Sequence, residues 1–129
     1  MAYAANHNHQ KAIEDYTSAL SLGIAPNILI ERGEEYLKSG DYQNALNDFN
    51  NVMRMSGESA QARFGRAQCN YQLHDYDHVI EDCTVVIKLA PRFVEPYRLR
   101  AQAYQQKQHL AEANAANADL ETAKRLQPK

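Results

Sequence analysis

Apolar side chains recur along the chain at intervals of three and four residues, and polar residues fill the positions between them. Ala45, Phe49 and Val52 form one such stripe, and Val79 and Cys83 begin another. This spacing places the apolar residues of each segment on one face of an α-helix. The pattern predicts three pairs of helices with bounds near Asn27–Ser39 and Tyr42–Met55, Gln61–Leu73 and Tyr76–Leu89, and Phe93–Gln106 and Leu110–Leu126.

The turns inside these pairs carry residues that end one helix and begin the next. Gly40 suits the left-handed conformation at a helix C-terminus, and Asp41 and Asp75 suit the N-cap of the following helix. Pro91 follows a second helix, where a proline cannot continue the hydrogen-bond ladder. Gly and Pro are otherwise scarce, with five and four residues in the chain, so an all-β fold is disfavoured. We therefore predict an all-α protein.

The helix pairs repeat with a period of 34 residues. A shift of that length brings Arg32 onto Arg66 and then onto Arg100, and brings Asp48 onto Asp82. Agreement in several independent columns indicates an array in which each unit buries its apolar face on its neighbours. The chain is expected to form a single repeat domain, with a partial repeat over 1–25 and full repeats over 26–59, 60–93 and 94–129.

The partial repeat is expected to open inside a first helix and to continue, after a turn, into a second helix. Tyr3 stands nine residues before Ala12, as Tyr36 stands before Ala45. The sequence NHNH at residues 6–9 is interpreted as the polar turn between the two helices. A metal site at its two histidines is the alternative.

These columns resemble the tetratricopeptide repeat family, in which a small residue precedes an aromatic in the first helix and an alanine precedes an aromatic in the second. Gly33 with Tyr36 and Ala45 with Phe49 fit that pattern, and "Gly-Asp-Tyr" at 40–42 is typical of it. The resemblance covers the chain with about three and a half repeats. It implies an α-solenoid of antiparallel helix hairpins in a right-handed superhelix, with a concave groove lined by the first helices.

The groove positions that the resemblance implies combine apolar side chains with amides. Amides can bond the backbone of a bound segment, and an aromatic ring can anchor one of its side chains. The expected function is an interaction scaffold or adaptor for a partner peptide or protein, bound at Asn27, Ile30, Glu34, Leu37, Gln61, Phe64, Gln68, Tyr71, Arg98, Gln102 and Gln105. A merely solvated surface is the alternative for these residues.

One subclass of the family grips the acidic C-terminal tail of heat-shock proteins with Lys, Asn and Arg side chains. The positions that we match to this clamp hold Ile30, Glu34, Gly65, Glu95 and Leu99. None of them has the required side chain, so we expect the chain not to use this clamp.

An arginine occupies every period of the first helices, and aspartates stand at similar places in the second helices. These columns hold Arg32, Arg66 and Arg100, and Asp15, Asp48, Asp82 and Asp119. We favour arginine–aspartate pairing between helices. A ladder of arginines that faces a ligand is the alternative.

The last repeat carries about three extra residues, which predicts a second helix one turn longer than the others. The alternative is that Gln105–His109 straightens, which would fuse the last two helices and allow a domain-swapped dimer. Self-association through a swap or through the uncovered faces of the end repeats is therefore the second functional hypothesis.

Charge and motifs narrow the function further. The chain has 14 Lys and Arg against 16 Asp and Glu, a net charge of −2, which argues against nucleic-acid binding. It has no motif for a nucleophilic serine, a phosphate loop or a metalloprotease, so we expect no enzyme and no cofactor. No signal peptide or transmembrane segment is seen, so a cytoplasmic protein without membrane contact is the default expectation.

The remaining residues with metal or redox chemistry have simpler interpretations. His74 and His78 stand four residues apart, a spacing that two metal ligands on one helix use, but a solvated turn is favoured and no metal is expected. Cys69 and Cys83 are expected to be reduced, half-buried apolar residues.

Overall fold

The computed structural model describes residues 2–23, 25–107 and 110–127. Within these ranges the chain forms seven α-helices, each packed against the helices before and after it. The helices are α1 (Ala2–Ser21), α2 (Pro26–Ser39), α3 (Tyr42–Ser56), α4 (Ala60–Gln72), α5 (Tyr76–Leu89), α6 (Glu95–Lys107) and α7 (Leu110–Leu126). Because α4 also contacts both α2 and α6, the first helices lie side by side. The predicted α-solenoid of antiparallel hairpins is confirmed.

The predicted helix bounds agree with the structure to within one residue for α2, α3 and α4, and they match both ends of α5 and α7. The exception among the three pairs is α6, which begins at Glu95 rather than at Phe93. The residues before it form a turn, in which the N–H of Phe93 donates to the carbonyl of Ala90 at 3.0 Å. Phe93 therefore lies outside the helix, and Pro96 occupies the first turn, where its missing N–H costs nothing.

The predicted turn in the partial repeat is wrong, because residues 6–9 lie inside one continuous helix of 20 residues. No Gly or Pro interrupts α1, and His and Asn lower helix propensity by only a fraction of a kcal/mol, up to about 0.7. Packing also favours the helix, since Nδ1 of His9 lies 2.6 Å from Oε2 of Glu35 on α2. The side chain of His7 lies outside the described residues.

The last two helices fold back on each other, so the alternative of one straight fused helix is wrong. Arg100 on α6 bonds to Asp119 on α7 at 2.7 Å, whereas 19 residues of straight helix would separate them by about 28 Å. The longer second helix is confirmed, with 17 residues in α7 against 14 in α5. Gln108 and His109, the last two residues of the proposed straight segment, lie outside the described residues.

The turns inside the hairpins use the predicted capping residues. Gly40 ends α2 with a φ of 86°, and the side chains of Asp41 and Asp75 accept the N–H groups of Asn44 and His78 at the start of α3 and α5. His74 occupies the position of Gly40 in the next repeat, with a φ of 65°. A left-handed conformation is costly for a residue with a Cβ, so this turn carries strain that the first one lacks.

The core of the array is centred on Phe49, which is fully buried together with Ala45 and Val52. The ring lies between two glycines, Gly33 of its own repeat and Gly65 of the next. A Cβ added to Gly33 would lie 2.8 Å from Cε1 of Phe49, and one added to Gly65 would lie 2.6 Å from the same atom. Small residues in α2 and α4 therefore give the ring its space and bring the neighbouring repeats into contact.

Candidate functional site

The arginine column forms two-point ion pairs inside each repeat. Nε and Nη2 of Arg32 donate to the two carboxylate oxygens of Asp48 at 2.8 and 2.7 Å. Arg66 holds Asp82 at 2.9 and 2.8 Å, and Arg100 holds Asp119 at 2.7 Å with both nitrogens. The three carboxylates are buried, and such pairs are strong because both partners are charged and aligned.

The remaining nitrogen of each guanidinium reaches back to the preceding repeat. Nη1 of Arg32 donates to the hydroxyl of Thr17 at 3.2 Å, and Nη1 of Arg66 donates to the amide oxygen of Asn50 at 2.9 Å. Nη1 of Arg100 donates to the hydroxyl of Thr84 at 2.9 Å. The acceptor stands two residues after the aspartate of its own helix in every case.

Each arginine therefore joins three helices, and the structural interpretation of this column is confirmed. Its hydrogen bonds with Asp48 raise the pKa of Arg32, and those with Asp119 raise the pKa of Arg100. In this arrangement the guanidinium groups hold the repeats together and are not presented to a ligand in the groove, so the alternative of a ligand ladder is wrong.

The inner face of the first helices contains two adjoining cavities. The first has a volume of about 420 Å³ and lies between α2 and α4. Its lining includes five of the predicted groove residues, together with Lys38, Gly65 and Phe93; the five are Glu34, Leu37, Gln61, Phe64 and Gln68. One wall is aromatic, since the rings of Phe64 and Phe93 meet edge to face with centroids 5.0 Å apart.

The second cavity, of about 290 Å³, continues along the same face towards α6. It shares Leu37 and Gln68 with the first cavity and adds the predicted residues Tyr71 and Gln102. Tyr42, Gln72 and Leu99 complete its lining. Seven of the eleven predicted groove residues thus line one strip across α2, α4 and α6.

Four predicted residues lie elsewhere. Asn27 and Gln105 are exposed and line neither cavity, and Ile30 packs against the core around Phe49. Arg98 lines a separate cavity beside α7.

Six residues of the strip lie outside the predicted groove positions: Lys38, Tyr42, Gly65, Gln72, Phe93 and Leu99. The reason is clear for three of them. Phe93 lies in a turn, where the helical period gives no column, although the positions 34 and 68 residues earlier hold the small residues Ser59 and Ala25. Lys38 follows Leu37 near the end of α2, and Leu99 is half-buried against the core. The sequence could have indicated Phe93 by its size, because the other repeats have small residues at this position.

Few charges face the strip. Glu34 lies at its α2 side, and Lys38 is 3.7 Å from Glu35, so its charge is partly balanced within the helix. The other polar groups are the amides of Gln61, Gln68, Gln72 and Gln102 and the hydroxyls of Tyr42 and Tyr71. This surface can hydrogen-bond a backbone and bury apolar side chains, but it gives an anion little electrostatic attraction.

The positions matched to the heat-shock tail clamp need one correction. Gly65 has no side chain, and its backbone packs against Phe49. The polar side chains that α4 and α6 place in the strip are those of Gln61, Gln68, Tyr71, Gln72 and Gln102. With these residues in place of Gly65, the described part of the strip still has no basic clamp.

The histidines and cysteines have structural surroundings. His74 bonds to the hydroxyl of Tyr76 at 2.8 Å, and the carboxylate of Asp75 raises the pKa of His78 through a hydrogen bond and its charge. Burial raises the pKa of Cys69 and of Cys83 to about 12, so both stay as unreactive thiols.

Two further features of the described part of the chain bear on function. The residues in it include no group of three or more His, Cys, Asp or Glu that could hold a metal ion. None of the helices seen in the structure is long and apolar enough to cross a membrane.

Comparison with known sequences matches the repeats to a described family. The family profile named tetratricopeptide repeat matches residues 30–78. Stress-induced-phosphoprotein 1 of Caenorhabditis elegans is 32% identical over 66 residues, which are 51% of this chain and 21% of that protein. The match therefore spans about a fifth of the length of this curated relative.

Solved structures share the fold over most of the chain. The crystal structure of MamA superimposes with a TM-score of 0.83 at 18% identity, and the match covers 95% of this chain and 70% of that one. The first tetratricopeptide domain of Spaghetti (RPAP3), bound to the HSP90 peptide SRMEEVD, superimposes with a TM-score of 0.73 at 25% identity. That match covers 81% of this chain and 80% of the other.

The stacked hairpins and the 34-residue period define an α-solenoid repeat protein. Within that class, the profile matched over residues 30–78 and the solved structures show what the chain is similar to. The chain is therefore similar to tetratricopeptide repeat proteins, the family that the columns of its sequence resemble.

Proposed function

We propose that this chain is an interaction scaffold that holds a segment of a partner protein along the strip between α2, α4 and α6. The observation that carries the proposal is the pair of adjoining cavities, which share Leu37 and Gln68 and are lined mainly by first helices. A related domain, the first one of Spaghetti (RPAP3), binds a peptide, which supports a peptide or protein partner here. The proposal includes no catalytic step and no cofactor.

The lining residues favour a partner segment with apolar anchors and little negative charge. Phe64 and Phe93 form an aromatic wall that can bury an apolar side chain, and rings of this size contribute strongly when they are desolvated. Gln68 borders both cavities, so its amide can bond the backbone of a segment that crosses from one to the other. Glu34 would attract a basic side chain at the α2 end.

The groove can be tested with peptides selected from a random library displayed on phage. Peptides selected on the full chain are expected to lose about tenfold in affinity, or about 1.4 kcal/mol, when Phe64→Ala and Gln68→Ala are combined. Gln68→Ala alone, which removes no core contact, is expected to give part of that loss. The control is Leu89→Ala with Glu81→Ala, since both residues are exposed on α5 and lie outside the strip.

Circular dichroism and thermal melting show whether each variant is folded. Selected peptides that bind the folded groove variants as tightly as the wild type would overturn the proposal. A selection that enriches no peptide and a partner that maps only to the second helices would also overturn it.

The peptide SRMEEVD is a sharp probe of the charge preference, because it is acidic and a related domain binds it. We expect binding weaker than about 1 mM to the wild-type chain, since Glu34 faces the strip and Lys38 is close to Glu35. Glu34→Lys should strengthen binding, and the exposed control Glu81→Lys should leave it unchanged. Micromolar binding by the wild type would contradict the preference for segments of low negative charge.

Self-association through the end repeats is the second candidate function. The observation in its favour is Leu120 of α7, which is 39% exposed although it follows Asp119 as the buried Phe49 follows Asp48. Light scattering across a dilution series distinguishes the two candidates. A constant monomer mass supports the groove, whereas a dimer that persists on dilution and is unaffected by Phe64→Ala supports self-association.

A further inference from the structure

The joints between repeats follow one chemical rule. A second helix offers an acceptor two residues after its aspartate, and the next first helix donates Nη1 of an arginine to it. The acceptors are neutral at all three joints: Thr17 on α1, Asn50 on α3 and Thr84 on α5. Helix α7 is the second helix of the last repeat and carries the same aspartate. This residue, Asp119, is already paired with Arg100.

The acceptor position of α7 is Glu121, two residues after Asp119. It is exposed and lines a cavity of about 410 Å³ on the open face of α6 and α7, with Leu120 and Ala123 among its neighbours. At the other joints this face is covered by the following first helix, which leaves Phe49 and Cys83 without exposure. The α7 face is thus a joint of the same kind with its covering helix absent from the described residues.

The replacement of a neutral acceptor by a carboxylate changes what the face prefers. A guanidinium that donates to Glu121 would gain the attraction of an opposite charge in addition to the hydrogen bond, which the neutral Thr and Asn acceptors do not supply. The half-exposed Leu120 would be covered by the residue before that arginine, as Phe49 is covered by Gly65, the residue before Arg66. The α7 face therefore presents the apolar side chain of Leu120 beside the carboxylate of Glu121.

We propose that the α7 face, defined by Leu120, Glu121 and Ala123, binds an amphipathic helix of another protein that carries an arginine directly after an apolar or small residue. The cavity also contains Arg98 and Lys124, so a partner helix with an acidic residue near the arginine fits better than a purely basic one. This surface is separate from the strip on the inner face, whose cavities contain none of the three defining residues.

A second copy of the chain fits this face poorly. Copies that stack end to end would bring α1 of one onto α7 of the other, because these are the outermost of the described helices. The sequence of α1 contains no arginine, and its one lysine is Lys11. The arginine helices α2, α4 and α6 are already packed between neighbours.

The test uses a synthetic peptide with the sequence of residues 93–107, which carries Leu99-Arg100 and an acidic Glu95. Titrated into the full chain labelled with ¹⁵N, it is expected to shift the amide resonances of Leu120, Glu121 and Lys124. Glu121→Arg should weaken binding about tenfold, and a peptide with Arg100→Glu should restore binding to that variant. The matched control is Glu81→Arg, an exposed glutamate on α5.

The possible results separate the alternatives. Absence of shifts on α7, an affinity unchanged by Glu121→Arg, or no rescue by the reversed pair would each overturn the proposal. Shifts centred on Thr84 would mean that the peptide exchanges with α6, and a chain that dimerises through α7 in light scattering would mean that a second copy is the occupant. Either result would also overturn it. Loss of groove binding by Phe64→Ala is independent of all these outcomes.

Discussion

Phe49 and Gly65 fit together with no space for a side chain on the glycine, although they belong to different repeats. The ring of Phe49 is fully buried and is also bounded by Gly33, so it cannot move away from α4. The contact makes the joint between the second and third hairpins depend on the absence of one methyl group.

Gly65→Ala is therefore expected to destabilise the chain by about 1–3 kcal/mol, the usual cost of an overpacked core, although alanine favours helix more than glycine does. Urea denaturation followed by circular dichroism measures the change. Gly23→Ala is the matched control, because nothing lies within 4 Å of its added Cβ. Adding Phe49→Leu to Gly65→Ala should recover part of the loss, and an unchanged midpoint for Gly65→Ala alone would contradict the tight contact.

The pair of Arg32 and Asp48 predicts a strong dependence of stability on the arginine. Arg32→Met would leave the carboxylate of Asp48, whose side chain is 3% exposed, without its charged partner, and we expect a loss of about 3–5 kcal/mol. The double variant Arg32→Met, Asp48→Leu should be much closer to the wild type, since it removes the buried charge as well. A double variant that is less stable than the single one would show that the pair itself favours folding.

His74 offers a substitution that should stabilise the fold. Its φ of 65° is unfavourable for a side chain with a Cβ, and Gly40 has the same role in the preceding repeat. His74→Gly is expected to raise the unfolding free energy by about 0.5–1 kcal/mol, after the loss of its exposed hydrogen bond to Tyr76. The reciprocal variant Gly40→His should lower stability, and a rise in melting temperature for both would refute the explanation.

The pKa of His78 should be above the value of an unperturbed histidine, because the carboxylate of Asp75 accepts a hydrogen bond from its ring and attracts its charge. The protonated form is therefore favoured by folding. This contribution to stability is fully present below the pKa of the unfolded chain and is lost as the pH rises through the higher pKa of the folded chain.

NMR titration of the imidazole resonances measures this shift directly. Asp75→Asn should return the pKa of His78 towards its ordinary value while the helix start is retained, because asparagine also caps helices well. An unchanged pKa in that variant would assign the shift to other groups, such as Glu81.

The two cysteines are expected to resist thiol reagents in the folded chain. The pKa of each is about 12 because of burial, so almost no thiolate exists at neutral pH. Modification by a disulfide reagent should follow global unfolding and should accelerate in urea in proportion to the unfolded fraction. Rapid reaction of Cys83 under native conditions would contradict its packing with Val79, and rapid reaction of Cys69 would contradict its burial in the cluster around Phe49.

The fold was predictable from the sequence where a residue that recurs in the repeats has a clear structural role. The capping aspartate and the apolar stripe define both ends of α5, and the same stripe defines α7. The turn predicted in the partial repeat was wrong because it was inferred from two histidines and two asparagines. Helices tolerate these residues when no Gly or Pro is present. The period alone could not distinguish a turn from a continuous helix there.

The site was predictable only in part because the period describes helices and not their surroundings. Glu34, Leu37 and Gln68 line one cavity, since the face of each first helix follows from its register. Phe93 was missed because it lies in a turn, and Arg98 lies in a different cavity because no further repeat covers α6 and α7 within the described residues. Such positions depend on neighbours that a single repeat does not contain.

The joint around Phe49 also determines how this array could grow. A tandem copy of residues 26–59 would bring Glu31 to the position of Gly65, where its Cβ would overlap with the ring of Phe49. A tandem copy of residues 60–93 would instead bring Gly65 over the smaller Cys83 and keep an arginine opposite Thr84. Duplication could therefore lengthen the array through residues 60–93 but not through residues 26–59. Side-chain size at the joints thus determines which repeats can be neighbours.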